Sequence, residues 1–319
     1  MVFLCACGSS KDGSGYLFKY DLSDNPKNLD PQVASDIASL NIIQNIYSGL
    51  FRTAPDGSLV NSVAKDYKIS DDGLVYEFTL RDDNYWSGTQ KDSYVKVTAS
   101  DFEYGFKRIF DNNTSSPYRE TFSCIKNAER IMRGEADFSK LGVYAESEDV
   151  LKIELDYPNA NFLSLLTSSA AMPCNKELLM STGGKYGLDS EFVFCNGPFY
   201  VKQWEYDPYG KSNYLILRKN KKYSETEVIY PSSLNYFVKK DESEHLEDFK
   251  KENTDCIISD GTEKSLFSGK YKYTEYRTET YGIIINPYDK YLYDGNFREA
   301  LSLSVDRNSY ANELSNGRT

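Results

Sequence analysis

The chain has 319 residues, 40% of them apolar and 27% charged, with a formal charge of −11, a mean hydropathy of −0.58 and a pI near 4.8. It is long enough to bury a sizeable core and form two lobes, and no run approaches the roughly 18 apolar residues of a membrane span. The acidic balance argues against a nucleic-acid partner, because phosphate binding needs clustered Lys and Arg.

In chain order, the first stretch is "MVFLCACGSSKDGSG". Leu4-Cys5-Ala6-Cys7 resembles the lipobox of bacterial lipoproteins, in which small residues precede a cysteine that becomes lipid-modified, so Cys7 is the expected lipidation site. The Gly/Ser-rich run behind it has the composition of a flexible tether. A basic start and most of the apolar region of a signal peptide are missing, so residues 1–15 read as a signal remnant and tether.

"YLFKYDL" predicts a first strand. In "SDIASLNIIQNIYSGLF" the three-to-four spacing of Ile37, Leu40, Ile43, Tyr47 and Leu50 predicts a helix with that apolar face, capped by Ser35 or Asp36. "VYEFTLR" alternates, with Tyr76, Phe78 and Leu80 on one side, as a half-buried strand does. "TASDFEYGFKRIF" pairs Thr98 with Asp101 in a capping box and places Phe102, Phe106, Ile109 and Phe110 on one helix face. Leu151, Ile153 and Leu155 alternate again, and "FYVKQW" and "YLILR" are strand-like. "LNYFVKK", "DESEHLEDFKKE" and "DCIIS" follow as strand, helix and strand, the order of a parallel crossover. "YGIII" predicts a buried strand and "NFREALSLSV" the start of a helix. The class is α/β with long antiparallel excursions.

Catalytic signatures are absent: there is no nucleophile elbow, phosphate-binding glycine loop, dinucleotide fingerprint or HExxH pair. The one histidine, His245, lies among carboxylates on a polar helix face, where a solvated side chain is expected. Asp71/Asp72 and Asp82/Asp83 sit in turn contexts. Beyond Cys5 and Cys7, Cys124, Cys174, Cys195 and Cys256 are scattered without a CxxC pair, so neither a metal nor a redox site is expected and these four read as buried apolar residues.

A resemblance narrows the class. Ala64 to Trp86, "AKDYKISDDGLVYEFTLRDDNYW", resembles the signature of the family 5 extracellular solute-binding proteins, receptors of ABC importers for peptides and nickel. "NLDPQ", "IYSGLF", "VTASDFEYGFKRIFD", "NGPFYVKQW" and "FREALSLSVDRNSY" are similar to family segments in the same order, although Cys195-Asn196 stands where many members have Gly-Thr. The block "SPYRETFSCIKNAERIMRGEADFSKLGVYAESEDVLKIELDYPNANFLSLL" is similar to the oligopeptide-binding branch.

The resemblance implies a two-lobed periplasmic-binding-protein-like fold of type II, in the large three-domain variant, with the second lobe incomplete. It implies a first lobe from 16–47 and 173–278, an inserted subdomain at 48–172, and the start of the second lobe at 279–319. It further implies a lipid-anchored, monomeric receptor outside the cytoplasmic membrane, delivering an oligopeptide from an interlobe cleft to a permease and ATPase, with no cofactor and no catalysis. Leu29, Asp30 and Pro31 match the family's Leu-Asp-Pro stretch, just after which relatives contact the peptide backbone, which places Ser35, Asp36 and Ile37 at that contact, and Tyr118 corresponds to a family tyrosine reaching into the cleft. Alternatives are another solute (a dipeptide, a nickel chelate or an oligosaccharide), a surface peptide or pheromone receptor, and a secreted hydrolase.

Overall fold

The computed structural model describes residues 2–5, 15–87, 95–207, 209, 212–224, 229–259, 271–275, 285–286 and 288–309. The chain separates into two compact units, Ser9–Asp255 and a second made of Met1–Gly8 with Cys256–Thr319. Strand β1 (Val2–Cys5) belongs to the second.

The first unit begins with β2 (Leu17–Leu22) and α1 (Ile37–Ile46), then a short hairpin of β3 (Phe51–Thr53) and β4 (Leu59–Asn61). β5 (Ala64–Ile69) and β6 (Val75–Leu80) follow, then α2 (Ala99–Phe110), α3 (Ala128–Met132), β7 (Val143–Ala145) and β8 (Val150–Glu154). After α4 (Phe162–Leu165) and α5 (Lys176–Ser181) come β9 (Phe199–Glu205), β10 (Tyr214–Lys219), β11 (Ser233–Val238) and α6 (Glu242–Lys250).

Two four-stranded sheets organise this unit. One runs β2-β11-β10-β9 and is antiparallel except where β11 pairs in parallel with β2, Ser233 opposite Leu17 through Val238 opposite Leu22. The other, β5-β6-β8-β7, is wholly antiparallel. Its strands alternate as their sequences require: Tyr76, Phe78 and Leu80 of β6 and Leu151 and Ile153 of β8 are buried, with their neighbours turned outward. α2 buries Phe102, Phe106, Ile109 and Phe110, and Phe106 meets Phe122 edge to face.

The run from Ala64 to Trp86 is a hairpin with a tail. β5 and β6 pair through a tight turn at Ser70–Gly73, where Gly73 holds a positive φ of 70°. The tail delivers Trp86, 1% exposed, whose indole N–H donates to Asp101 at 3.0 Å. Asp101 also closes the expected capping box, accepting from the Thr98 amide at 2.9 Å. Burial pushes the Asp101 carboxyl above its ordinary range, against the pull of these hydrogen bonds. The family-like signature is therefore a fold-building element that fastens the hairpin to the start of α2.

In the second unit β1 is the central strand of an antiparallel sheet, between β12 (Cys256–Ser259) and β13 (Lys272–Glu275), and α7 (Gly295–Ser304) begins at an Asp294 cap.

Three local expectations are corrected. The stripe that α1 buries is Ala38, Ser39, Ile42, Ile43 and Ile46, and the helix ends at Ile46, so Ile37 stands 79% exposed instead of on the buried face. The crossover strand β11 takes β2, not β12, as its parallel neighbour, because β10 and β2 already occupy both its edges. His245 is half-buried, with Nε2 2.7 Å from the Lys239 carbonyl, and is not freely solvated. Cys124, Cys174, Cys195 and Cys256 are buried, as expected. Most of "YGIII" lies outside the described residues, as does Cys7.

Candidate functional site

The site is built on the segment between β2 and α1. Asp36 caps α1, its carboxylate accepting from the Ser39 amide at 2.9 Å. The Ser39 hydroxyl in turn accepts from the amides of Lys27 at 2.9 Å and Asn28 at 3.2 Å, folding the incoming chain onto the first turn of the helix. Leu29, fully buried, donates its amide to the Gly187 carbonyl at 2.7 Å. Gly187 has a φ of 77°, and a Cβ there would lie 2.4 Å from Asn28 Oδ1 and 2.5 Å from the Asp30 amide nitrogen.

Asp30 starts a turn, its carbonyl accepting from the amides of Val33 at 3.1 Å and Ala34 at 2.9 Å. The Ala34 carbonyl then accepts from the hydroxyl of Tyr118. Beyond Ala34 the chain emerges: Ser35 is exposed, Asp36 half-buried and Ile37 exposed, while the Tyr118 ring is half-buried. The structure thus brings Tyr118 to the residue preceding Ser35, Asp36 and Ile37, so the four expected contact residues share one neighbourhood. They place an exposed apolar side chain, Ile37, near a half-buried tyrosine that packs against the core.

Beneath this surface lies a polar cluster that sequence reasoning missed. Arg108 of α2 forms a fork with Asp30, Nη1 to Oδ1 at 2.9 Å and Nη2 to Oδ2 at 2.5 Å. Nη1 also donates to Gln32 Oε1 at 2.7 Å, and the guanidinium lies 5.7 Å from the centre of the Tyr186 ring. Gln32 Nε2 donates to the carbonyls of Met172 at 2.9 Å and Ala170 at 3.2 Å. Burial works against the Arg108 charge, yet the hydrogen bonds to Asp30 hold its pKa above the ordinary arginine value. No local pattern announces the pair, whose members are 78 positions apart.

A second cluster secures the far end of α1. Asn196 accepts from the Ser48 amide at 3.0 Å and donates to the Ser48 carbonyl at 2.8 Å and to Asn84 at 3.0 Å. Gly197 follows, where a Cβ would lie 2.6 Å from the Ile46 carbonyl carbon. The departure at Cys195-Asn196 therefore keeps a structural role.

A cleft of about 760 Å³ opens along the start of the same segment, lined by residues including Asp24, Asn25, Lys27, Trp204 and Tyr206 and by none of the four expected contact residues. Among the described residues no group of His, Cys, Asp and Glu could hold a metal ion, and no helix is long and apolar enough to cross a membrane.

With this geometry in place, comparison with known proteins is direct. Residues 58–319 match the family described as bacterial extracellular solute-binding proteins, family 5 (middle), and the chain belongs to that family. It is similar to the oligopeptide-binding protein SarA of Streptococcus gordonii, 29% identical over 348 aligned residues that cover 98% of this chain and 52% of SarA. Among solved structures, a periplasmic oligopeptide-binding protein of Borrelia burgdorferi superposes with a TM-score of 0.76 at 26% identity, covering 95% of this chain and 59% of that one. A peptide-bound OppA of Listeria monocytogenes gives 0.74 at 26%, covering 94% and 58%. The fold is that of the periplasmic binding proteins, and the family and these relatives are binding proteins, not enzymes. The chain spans about half the length of the curated relatives it matches.

Proposed function

We propose that the protein is the extracytoplasmic substrate-binding component of an ABC importer and that its ligand is an oligopeptide. The observation that carries this reading is the meeting of Tyr118 with Ala34, beside an Ile37 left exposed at the first turn of α1. An extended peptide laid along Ser35–Ile37 would bond its main chain to the backbone that leads into α1, so that grip depends little on ligand sequence. Side chains of varied size would be accommodated by intervening water. Delivery to a permease and its ATPase is the role this reading assigns to the loaded protein.

The lobe scheme belongs to the same proposal. The sheet β2-β11-β10-β9 draws on both flanks of 48–172, while the sheet β5-β6-β8-β7 lies wholly within it, which supports reading 48–172 as an insertion; the proposed lobe of 16–47 and 173–278 runs past the end of the compact unit at Asp255. Residues 279–319 then begin the second lobe. Lipidation at Cys7 would hold a monomeric receptor at the outer face of the membrane through its lipid alone.

Mass spectrometry of ligand released by denaturing protein purified from its native host tests the reading. Peptide masses of mixed sequence are expected. A metal chelate, a sugar or a single non-peptide mass would overturn the peptide assignment, and steady turnover of added peptide would overturn the assignment as a binding protein.

A further inference from the structure

We infer that Arg108 is a positioning residue for the ligand-facing segment Ser35–Ile37, acting through Asp30; this rests on the site proposed above. Four links make the connection, each a hydrogen bond. The guanidinium fork fixes both oxygens of Asp30. Asp30 Oδ1 also accepts from the Gln32 amide at 3.1 Å, so the carboxylate that Arg108 grips is the one that shapes the turn. The Asp30 carbonyl holds the amides of Val33 and Ala34. The Ala34 carbonyl receives the Tyr118 hydroxyl.

Arg108 lies on α2, whose first turn is tied to Trp86 through Asp101, and Gln32 is tied to the chain at Ala170 and Met172. The fork therefore transfers the rigidity of packed elements to a turn that has exposed chain on its far side. A planar guanidinium suits this task because two parallel bonds fix direction as well as distance, which a lysine ammonium at the same place would not. Arg108 and Asp30 are both buried and bonded to each other at two points, so the pair has few alternative arrangements open to it.

A structural role alone makes a different forecast. Replacing both members of a buried ion pair by uncharged groups of similar volume is often neutral for stability, whereas removing one leaves a buried charge unpaired. The double variant Arg108→Met/Asp30→Asn is therefore compared with the unaltered full chain by amide hydrogen exchange and by binding of a pool of unmodified oligopeptides. The variant is expected to stay folded while exchange at Val33 and Ala34 quickens by about tenfold or more relative to the amides of β6, and peptide affinity to fall by about tenfold. Arg108→Lys, which keeps the charge and loses the fork, is expected to show the same pattern more weakly.

Unchanged protection at Val33 and Ala34 in a folded double variant would overturn the inference, whether or not peptide binds. So would quickened exchange with peptide affinity unaltered. Failure of the underlying site looks different: the unaltered chain binds peptide, yet Ile37→Asp leaves that binding untouched.

Discussion

The hydroxyl of Tyr118 donates to the carbonyl of Ala34 across 84 positions of sequence, tying a loop residue of the region 48–172 to the backbone that leads into α1. Removing only that hydroxyl separates its two roles. Tyr118→Phe is expected to lower stability by about 1 kcal/mol, the usual net worth of one hydrogen bond, and Tyr118→Ala to weaken peptide binding further without unfolding the chain. Urea denaturation and titration calorimetry read the two effects. Unaltered affinity in the alanine variant would remove Tyr118 from the site.

Ile37 offers a cleaner probe because its side chain supports nothing in the fold. It is 79% exposed at the first position of α1, where an acidic residue favours the helix by roughly 0.3–1 kcal/mol. Ile37→Asp is expected to leave thermal stability unchanged or slightly raised while peptide affinity falls. A fall in stability would show that Ile37 packs on something, and the open face would be lost.

Gly187 carries the opposite logic. With φ at 77° and the backbone of Leu29–Asp30 closer than van der Waals contact to any added Cβ, Gly187→Ala is expected to cost about 1–3 kcal/mol and to disturb the turn at Asp30. Chemical denaturation checks the first effect and exchange at Val33 and Ala34 the second.

Asp21 gives the pH dependence. It is 6% exposed, both carboxylate oxygens lack a hydrogen-bond partner, and burial, followed by the charge of Asp248, pushes its pKa from 3.8 up to about 6. His245 and Lys239 pull the other way, and Lys239 is itself bonded to Asp248 at 2.6 Å. The folded state thus holds a proton that the unfolded chain releases near pH 4. This contribution to stability is fully present below that pH and is lost as pH rises through about 6, a loss of at most about 3 kcal/mol. Asp21→Asn is expected to be the more stable protein at pH 7 and to lose most of this slope between pH 4 and 6. Equal slopes in the two proteins would contradict the assignment.

How far the sequence could be read depends on whether the cause was local. Alternation at Tyr76, Phe78 and Leu80 and the capping box at Thr98 and Asp101 are local devices, and both appear where their residues predict. The face of α1 was misjudged because Ile37, Leu40 and Ile43 trace one apolar stripe and Ala38, Ile42 and Ile46 another, and only packing chooses between them. The parallel neighbour of β11 could not be inferred from its own surroundings, since β2 lies more than 200 positions away. Arg108 reads as one more charge on an amphipathic helix until its partner is known. His245 reads as a solvated group in the sequence because a bond to the Lys239 carbonyl leaves no trace in composition. The four contact residues came from family likeness alone, and what the fold adds is their neighbourhood.

We propose that an oligopeptide is gripped along Ser35–Ile37 beside Tyr118, by contacts to its main chain. Photoreactive peptides of unrelated sequence, cross-linked to the protein and mapped by mass spectrometry, test it most directly. Attachment at Ser35, Asp36, Ile37 or Tyr118 is expected for every peptide, displaced by an excess of unlabelled peptide. Attachment confined to other parts of the chain, or to these residues for one sequence alone, would contradict it.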